Sequence, residues 1–150
     1  MRAVIQRVSN AQVFIEGHVH SSIDAGLAIL LGIGHLDTSE DVKWLSHKIV
    51  NLRIMNDQNN VPNLSILDTT SDLLLISQFT LFASTKKGNR PGYSNASSPE
   101  NAKPLYWKMI DQLEYDLGKK IFTGIFGADM KVSFLNDGPL TIFIDTKNKE

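Results

Sequence analysis

Two short apolar runs constrain the fold of this chain more than any other feature of its sequence. The first is GLAILLGI, residues 26–33, and the second is LLLI, residues 73–76, inside a segment that we expect to be a strand over about 72–82. Each run is far shorter than the roughly 20 residues that a membrane-spanning helix needs. The first run is typical of a strand that is buried on both faces, and the second predicts a buried strand.

Two other segments have helical periodicity. The first covers about 39–51, where Thr38 is placed to act as the N-cap, and the second covers about 100–117, where Gly118 is suited to end the helix. The periodic residues are Val42, Leu45, Ile49 and Leu52 in the first segment, and Leu105, Met109, Leu113 and Leu117 in the second.

The two ends of the chain predict further strands. Partial alternation over residues 2–23 predicts antiparallel strands with turns near Ser9–Asn10 and Glu16–Gly17, and MKVSFLND and PLTIFID predict two strands joined as a hairpin across Asp137–Pro139. This order of elements predicts one α+β domain over residues 1–150. We expect mostly antiparallel β-sheet layers with two main helices packed on one side, an α/β/β arrangement.

The composition excludes several kinds of site. There is no cysteine, which rules out disulfides, a thiolate nucleophile and a cysteine metal site. His18 and His20 would share one face of a strand, but no third ligand is evident, and we expect no metal and no cofactor. A net charge of -1 provides no overall basic surface. The first residues lack the features of a signal peptide, so we expect a cytoplasmic protein with no membrane partner.

Three polar residues, Ser77, Gln78 and Thr80, interrupt the second apolar run. As nucleophiles, Ser77 or Thr80 would need a neighbouring base, and none is local in the sequence. In the simplest alternative, the polar groups bond to neighbouring backbone. In a third interpretation the strand ends or bulges here, and its free N–H groups face a ligand oxygen as an oxyanion site.

Two loop segments also contain residue types that suit a site. In NDGPLT, residues 136–141, Gly138 permits a positive φ and the close approach of another group. The Gly138–Pro139 peptide bond can adopt the cis isomer. An ordinary turn is an alternative explanation of the same residues. In TKKGNRPGY, residues 85–93, basic side chains and a tyrosine suit phosphates and a base or sugar, although a solvated loop is the commoner outcome.

Taken together, these motifs resemble the D-aminoacyl-tRNA deacylase family. The matching stretches are MRAVIQRV at the N-terminus, NLRI at 51–54, SQFTLFA at 77–83, KKGNRP at 86–91, FGADM at 126–130 and NDGPLT at 136–141. They cover essentially the whole chain in order. Ser-Gln-x-Thr and Gly-Pro-x-Thr are each weak signatures alone and specific together. Leu140, where the family usually has valine, is a conservative departure.

The resemblance implies an activity and a set of site residues. Such proteins hydrolyse the ester between a D-amino acid and the 3′ end of tRNA, several also remove glycine, and they reject L-aminoacyl groups. They are homodimers with active sites at the interface, where a cis Gly-Pro bond reaches into the partner's site. By position, the catalytic residues would be Ser77, Gln78, Phe79 and Thr80, with main-chain N–H groups around Gln78 and Phe79 holding the ester carbonyl. Substrate binding would use Gly138, Pro139, Arg7, Phe126 and Met130.

Two other functions stay open at this point. A Ser/Thr hydrolase of a small ester would use Ser77 or Thr80 as a nucleophile and pass through a covalent acyl-enzyme. A non-enzymatic nucleic-acid module would bind through Lys86, Lys87 and Arg90 with strong salt dependence and without hydrolysis.

Overall fold

The computed structural model describes residues 1–149 and contains eight strands and two α-helices. The strands are β1 Arg2–Ile15, β2 His18–Ile23, β3 Gly26–Gly32, β4 Met55–Asn56, β5 Pro62–Leu64, β6 Asp72–Ser77, β7 Phe122–Thr123 and β8 Lys131–Asp145. The helices are α1 Ser39–Asn51 and α2 Pro99–Leu117, and short 3₁₀ helices cover Ile66–Asp68 and Phe79–Phe82.

The long strand β1 organises the main sheet. One of its edges pairs antiparallel first with β3 and then with β2, and its other edge pairs antiparallel with β8. Beyond β3, the strands β6 and β7 continue the sheet in parallel. The predicted α+β fold with a mostly antiparallel sheet is therefore confirmed, with β4 and β5 forming a separate small hairpin.

Alternate residues of β6 enter two different apolar cores. Leu73 and Leu75 pack with both helices on one face of the sheet, whereas Leu74 and Ile76 pack with β1, β2 and β3 residues on the other. All four side chains are at most 1% exposed. The prediction of a buried strand is therefore confirmed, and the run is continuously apolar because both faces of β6 are buried.

The two helices also follow the sequence prediction closely. Thr38 is the N-cap of α1, and its side chain and that of Asp41 form a reciprocal capping box. The second helix begins at Pro99, in the first turn where proline is tolerated, and ends at Gly118, which has a φ of 73°.

Three local predictions about strands are wrong. There is no turn at Ser9–Asn10, where β1 continues and shifts register against β8, while the turn at Glu16–Gly17 is present with positive φ at both residues. The strand predicted over 72–82 ends at Ser77 and gives way to the 3₁₀ helix. The predicted C-terminal hairpin is one strand, β8, because both of its halves pair with the same strand β1.

Asp41 also anchors the C-terminal segment to α1. Its carboxylate accepts hydrogen bonds from the Lys147 ammonium at 2.8 Å and from the Thr38 amide at 2.8 Å. Burial raises the pKa of this carboxyl, but the bonds from Lys147, Thr146 and Thr38 outweigh it and hold the pKa well below its usual range. A carboxyl with a depressed folded-state pKa stabilises the fold above its unfolded pKa of about 3.9, and that contribution is lost as pH falls through the folded value.

We therefore expect Asp41→Asn to lower the free energy of unfolding at pH 7 by about 1–2 kcal/mol. The difference from wild type should shrink on acidification below pH ~4, because the Asp41 carboxyl of the unfolded wild-type chain then binds a proton that the folded chain does not. Urea titrations at pH 7 and pH 3 measure both quantities. Asp24→Asn, which changes an exposed carboxylate after β2, is the control and should leave stability almost unchanged; a loss as large as that of Asp41→Asn would contradict the assignment.

Candidate active site

A cavity of about 590 Å³ opens where β6 ends. Its walls come from the ends of β3 and β6, from residues 93–97 and the first turn of α2, and from residues 126–130. Ser77, Gln78, Phe79, Phe126 and Met130, five of the residues predicted for the site, line this cavity together. Their convergence from segments about 50 residues apart in the sequence makes this cavity the candidate site.

The floor of the cavity has free backbone donors. The Gln78 amide donates to the Leu31 carbonyl at 2.7 Å, which is the last link between this segment and β3. The chain then turns into the 3₁₀ helix, whose first hydrogen bond runs from the Leu81 amide to the Gln78 carbonyl at 3.3 Å. The amides of Phe79 and Thr80 precede that bond and donate to no carbonyl of residues 1–149, as expected at a helix start. The Gln78 amide, which we expected to hold a ligand, is thus already occupied.

Glycines on β3 and after it make room for this turn. A Cβ at Gly34 would lie 2.7 Å from the Phe82 ring, and a Cβ at Gly32 would lie 3.0 Å from the Gln78 carbonyl oxygen. Arg2 holds the turn from β1, donating to the Leu81 carbonyl at 2.9 Å and lying over the Phe82 ring at 4.6 Å. The sequence prediction missed these three residues; the pattern Gly-Ile-Gly at the end of an apolar run was the available clue.

The hydroxyls at the floor have no base beside them. Thr80 Oγ1 accepts a short hydrogen bond from the Gln78 side-chain amide. Within residues 1–149, the ring of His35 contacts the Ser94 carbonyl and that of His47 contacts Asn51, so neither imidazole touches Ser77 or Thr80. The geometry does not activate either hydroxyl as a nucleophile.

The opposite wall is held by an aromatic contact. The Phe126 ring packs against Tyr106 with 5.5 Å between centroids, and the Tyr106 hydroxyl donates to the Leu75 carbonyl at 3.0 Å. Burial raises the pKa of Tyr106, which keeps the donor protonated. Met130 is similarly confined, since a Cβ at Gly124 would lie 2.4 Å from its sulfur. This wall presents an apolar surface suited to a flat ring.

The NDGPLT segment forms a bulge in β8. Gln6 pairs with Thr141 and Val8 pairs with Asn136, so the four residues 137–140 stand opposite Arg7 alone. The Gly138–Pro139 peptide bond is cis, Gly138 has a φ of 134°, and both residues are exposed.

Arg7 supports the bulge from beneath. Its guanidinium donates to the Asp137 carbonyl at 3.2 Å, to the Ile54 carbonyl at 2.8 Å and to the Asn56 side chain at 2.6 Å. It is only 6% exposed, so its position is fixed by these acceptors. A Cβ at Gly138 would lie 3.2 Å from an Arg7 nitrogen, which leaves little room for any other residue in the bulge.

The bulge does not reach the cavity of the same chain. Arg7 pairs with Leu27 near the start of β3, whereas the cavity lies beyond Leu31 at its other end. Arg7, Gly138 and Pro139 are accordingly absent from the cavity walls, and so is Thr80. The structure therefore separates the predicted residues into two groups, one at the cavity and one at the bulge.

Within residues 1–149, no group of three His, Cys, Asp or Glu side chains is arranged to hold a metal ion, and His18 and His20 are exposed on β2. In the same described part of the chain, no helix has the length and apolarity needed to cross a membrane.

Comparison with known proteins points to one family. The model of the family described as D-Tyr-tRNA(Tyr) deacylase matches residues 4–145. Proteins named D-aminoacyl-tRNA deacylase from Flavobacterium psychrophilum and Bacteroides fragilis are each 59% identical over 150 residues, which is 100% of this chain and of theirs.

Solved structures agree in fold. One described as "c-Myc DNA Unwinding Element Binding Protein" has a TM-score of 0.90 and 37% identity, covering 97% of this chain and 99% of that chain. Another, described as a probable eukaryotic D-amino acid tRNA deacylase, has a TM-score of 0.82 and covers 95% of this chain and 97% of that chain. At 14% identity, the second comparison bears on the fold alone.

Proposed function

The chain belongs to the D-Tyr-tRNA(Tyr) deacylase family, and we propose that it hydrolyses the ester between a D-amino acid and the 3′ end of tRNA. The free amide of Phe79, which lines the cavity, and that of the next residue, Thr80, are the observation that carries this proposal. They would bind the oxygen that becomes negative when water adds to an ester carbonyl. The products are a free D-amino acid and tRNA.

The chemistry needs little more than positioning. Aminoacyl esters are reactive, so an oriented water and an oxyanion site are sufficient for hydrolysis. Phe126 and Met130 would hold the terminal adenosine against the apolar wall, and the 2′-hydroxyl of that nucleotide would assist the water. Gln78 and Thr80 would act through their mutual hydrogen bond, which orients the turn that carries the two amides.

Gly138 and Pro139 would act in the cavity of a second protomer. The bulge lies away from its own cavity, and among residues 1–149 the outer edge of β8 pairs with no strand. Leu135 and Phe143 on this strand are 60% and 57% exposed, which supports a contact between two copies. In a two-fold homodimer the contact is reciprocal, so each cavity receives the partner's bulge.

This arrangement explains selection by chirality. The carbonyls of the partner's bulge would occupy the space that an L side chain needs, and rejection by such a clash does not depend on the size of the accepted D side chain. Glycine lacks a side chain, so glycyl-tRNA would be accepted as well. With aminoacyl-tRNA as its substrate, the enzyme would act in the cytoplasm.

The alternative of a Ser/Thr hydrolase is disfavoured by the site. Neither Ser77 nor Thr80 has an imidazole beside it, and Thr80 Oγ1 is engaged by Gln78. A purely nucleic-acid-binding module would not need free amides at the floor of an apolar cavity.

The proposal predicts a large difference between enantiomeric substrates. The protein should hydrolyse D-tyrosyl-tRNA with a kcat/KM at least about 100-fold above that for L-tyrosyl-tRNA, because only the L side chain clashes. Release of labelled amino acid from each ester, corrected for spontaneous hydrolysis, measures this ratio. Equal rates, or no hydrolysis of either substrate, would overturn the proposed function.

A further inference from the structure

The basic side chains of this protein are almost all engaged within the fold. Seven of the fifteen Lys and Arg residues form ion pairs with carboxylates, and others hydrogen-bond or lie over tryptophan rings. Within residues 1–149, Lys86, Lys87 and Arg90 have no hydrogen bond, ion pair or ring contact, and all three are exposed. The positive charges left for a partner are therefore concentrated in one turn of five residues.

This turn stands on a fixed stem at the rim of the cavity. Ser84 and Gly92 exchange two backbone hydrogen bonds of 2.8 and 2.9 Å, which close the loop 85–91. Beyond the stem, the Ser97 amide donates to the Ile33 carbonyl at 2.9 Å, so the following residues are tied to the cavity wall. The base of the loop is therefore hydrogen-bonded, and the segment that follows it is tied to Ile33 in the cavity wall.

Two exposed aromatic rings line the cavity, and one of them, Tyr93, directly follows the stem of the basic loop. Phe79 and Tyr93 both line the cavity, are 57% and 40% exposed, and meet edge to face with 5.0 Å between ring centroids. Exposed aromatic faces beside unpaired cations are the features with which proteins bind single-stranded nucleic acid, since bases stack on the rings and phosphates contact the cations. The nearby Asp129 carboxylate is paired with Lys131 at 2.8 Å, which offsets its repulsion of phosphate.

We propose that the loop 85–91 and the Phe79–Tyr93 pair bind the single-stranded nucleotides that precede the terminal nucleotide of the substrate. The inference rests on the proposed function. Only if the cavity holds the terminal aminoacylated nucleoside does the preceding RNA strand leave the cavity across this rim. Lys86, Lys87 and Arg90 contact the phosphates, and a base stacks on the aromatic pair. Binding here is independent of base sequence, since phosphates and ring faces are common to all nucleotides.

The test compares two substrates on the variant Lys86→Gln/Lys87→Gln/Arg90→Gln. One substrate is D-tyrosyl-tRNA, and the other is D-tyrosyl-adenosine, which has the same ester and no preceding phosphates. We expect kcat/KM for the tRNA to fall about 10- to 100-fold, with a salt slope flatter by up to about two units, because about 0.7 counterions are released per single-strand phosphate. Hydrolysis of D-tyrosyl-adenosine should be unchanged.

Two control variants test whether the loss of activity depends on the position of the removed positive charges or only on the net charge of the protein. Lys43→Gln/Lys48→Gln/Lys120→Gln removes three charges from exposed positions on α1 and after α2 and should keep wild-type kcat/KM on both substrates. Lys86→Arg/Lys87→Arg/Arg90→Lys keeps the charge and should retain activity on the tRNA.

The results distinguish this inference from the proposed function. If the loop variant loses activity equally on both substrates, the loop does not bind the preceding nucleotides. The same conclusion follows if the variant keeps wild-type activity on both substrates. If the wild-type protein hydrolyses neither substrate, the proposed function fails, and fluorescence anisotropy with uncharged tRNA then decides the binding role. Equal affinity of wild type and loop variant for that tRNA would overturn it.

Discussion

Replacing Gly138 with alanine is expected to reduce kcat/KM for D-tyrosyl-tRNA at least about 100-fold, or to abolish the preference for D over L. Gly138 has a φ of 134°, a conformation that alanine rarely adopts. An added Cβ would also lie 3.0 Å from the Leu140 amide nitrogen and 3.2 Å from Nη2 of Arg7, whose guanidinium is held through Nη1 by the Ile54 carbonyl and the Asn56 side chain. The backbone of the bulge must therefore shift, and this moves the carbonyls that are proposed to exclude the L side chain.

Steady-state kinetics on the D and L esters measure this effect, and Gly17→Ala is the control. Gly17 also has a positive φ, 79°, but no atom lies within 4 Å of its added Cβ, and it sits in the turn between β1 and β2. The control variant should lose some stability and no selectivity. If Gly138→Ala retained both the rate on D-tyrosyl-tRNA and the D-over-L ratio, the bulge would have no part in the reaction.

The helices and buried strands were predictable because their causes are local. The capping residues Thr38 and Asp41 lie three positions apart at the start of α1, and the apolar spacing of α1 and α2 repeats over consecutive turns. The burial of β6 was predictable from four consecutive apolar residues, 73–76. Each of these patterns is complete within a short window of sequence.

The end of β6 was not predictable in this way, because contacts distant in the sequence decide it. Phe79, Thr80 and Phe82 favour a strand by composition. The chain turns instead where Gly34 leaves space for the Phe82 ring and where Arg2, 79 residues away from Leu81 in the sequence, donates to its carbonyl. Propensity therefore gave the wrong element at the position that forms the cavity floor.

The bulge in β8 has the same explanation. Asn136, Asp137, Gly138 and Pro139 have the turn chemistry of a hairpin, and local reasoning predicts one. The single partner strand β1 and the buried Arg7, 130 residues before Asp137, keep both halves in one strand. The placement of Phe126 and Met130 at the cavity came from family resemblance, since no local pattern distinguishes them from ordinary core residues.

The second large effect is expected at Phe79, where proline would remove the free amide of a residue that lines the cavity. Proline is tolerated at the first position of a helix, and Gln78 before it has φ −145° and ψ 81°, outside the α region that proline disfavours in its predecessor. The turn should therefore persist without its donor. Loss of one oxyanion donor lowers kcat by about 10²–10³-fold.

Phe79→Ala is the matched control, because it removes the same ring and keeps the amide. Its kcat should stay within about tenfold of wild type, and any weakening should appear in KM for the tRNA, where the ring contacts a preceding nucleotide. Equal kcat values for the proline and alanine variants would exclude the Phe79 amide from the reaction.

Removing the side-chain hydroxyl of Ser77 or Thr80 should have a smaller effect than removing the Phe79 amide. Ser77→Ala and Thr80→Ala should each lower kcat only partially, and no acyl-enzyme should be detected by mass spectrometry after rapid quenching. A decrease of several orders of magnitude together with a trapped adduct would instead identify a nucleophile and support the Ser/Thr hydrolase.

The Gly138→Ala and Phe79→Pro variants together test whether the site forms between protomers. In a mixed dimer, the intact cavity of the Gly138→Ala chain receives the intact bulge of the Phe79→Pro chain, so one of the two sites is wild type. Random exchange of two inactive variants makes half of the dimers mixed, and about a quarter of wild-type activity should return. If instead each bulge served the cavity of its own chain, every site in the mixture would carry one defect, and mixing would restore nothing.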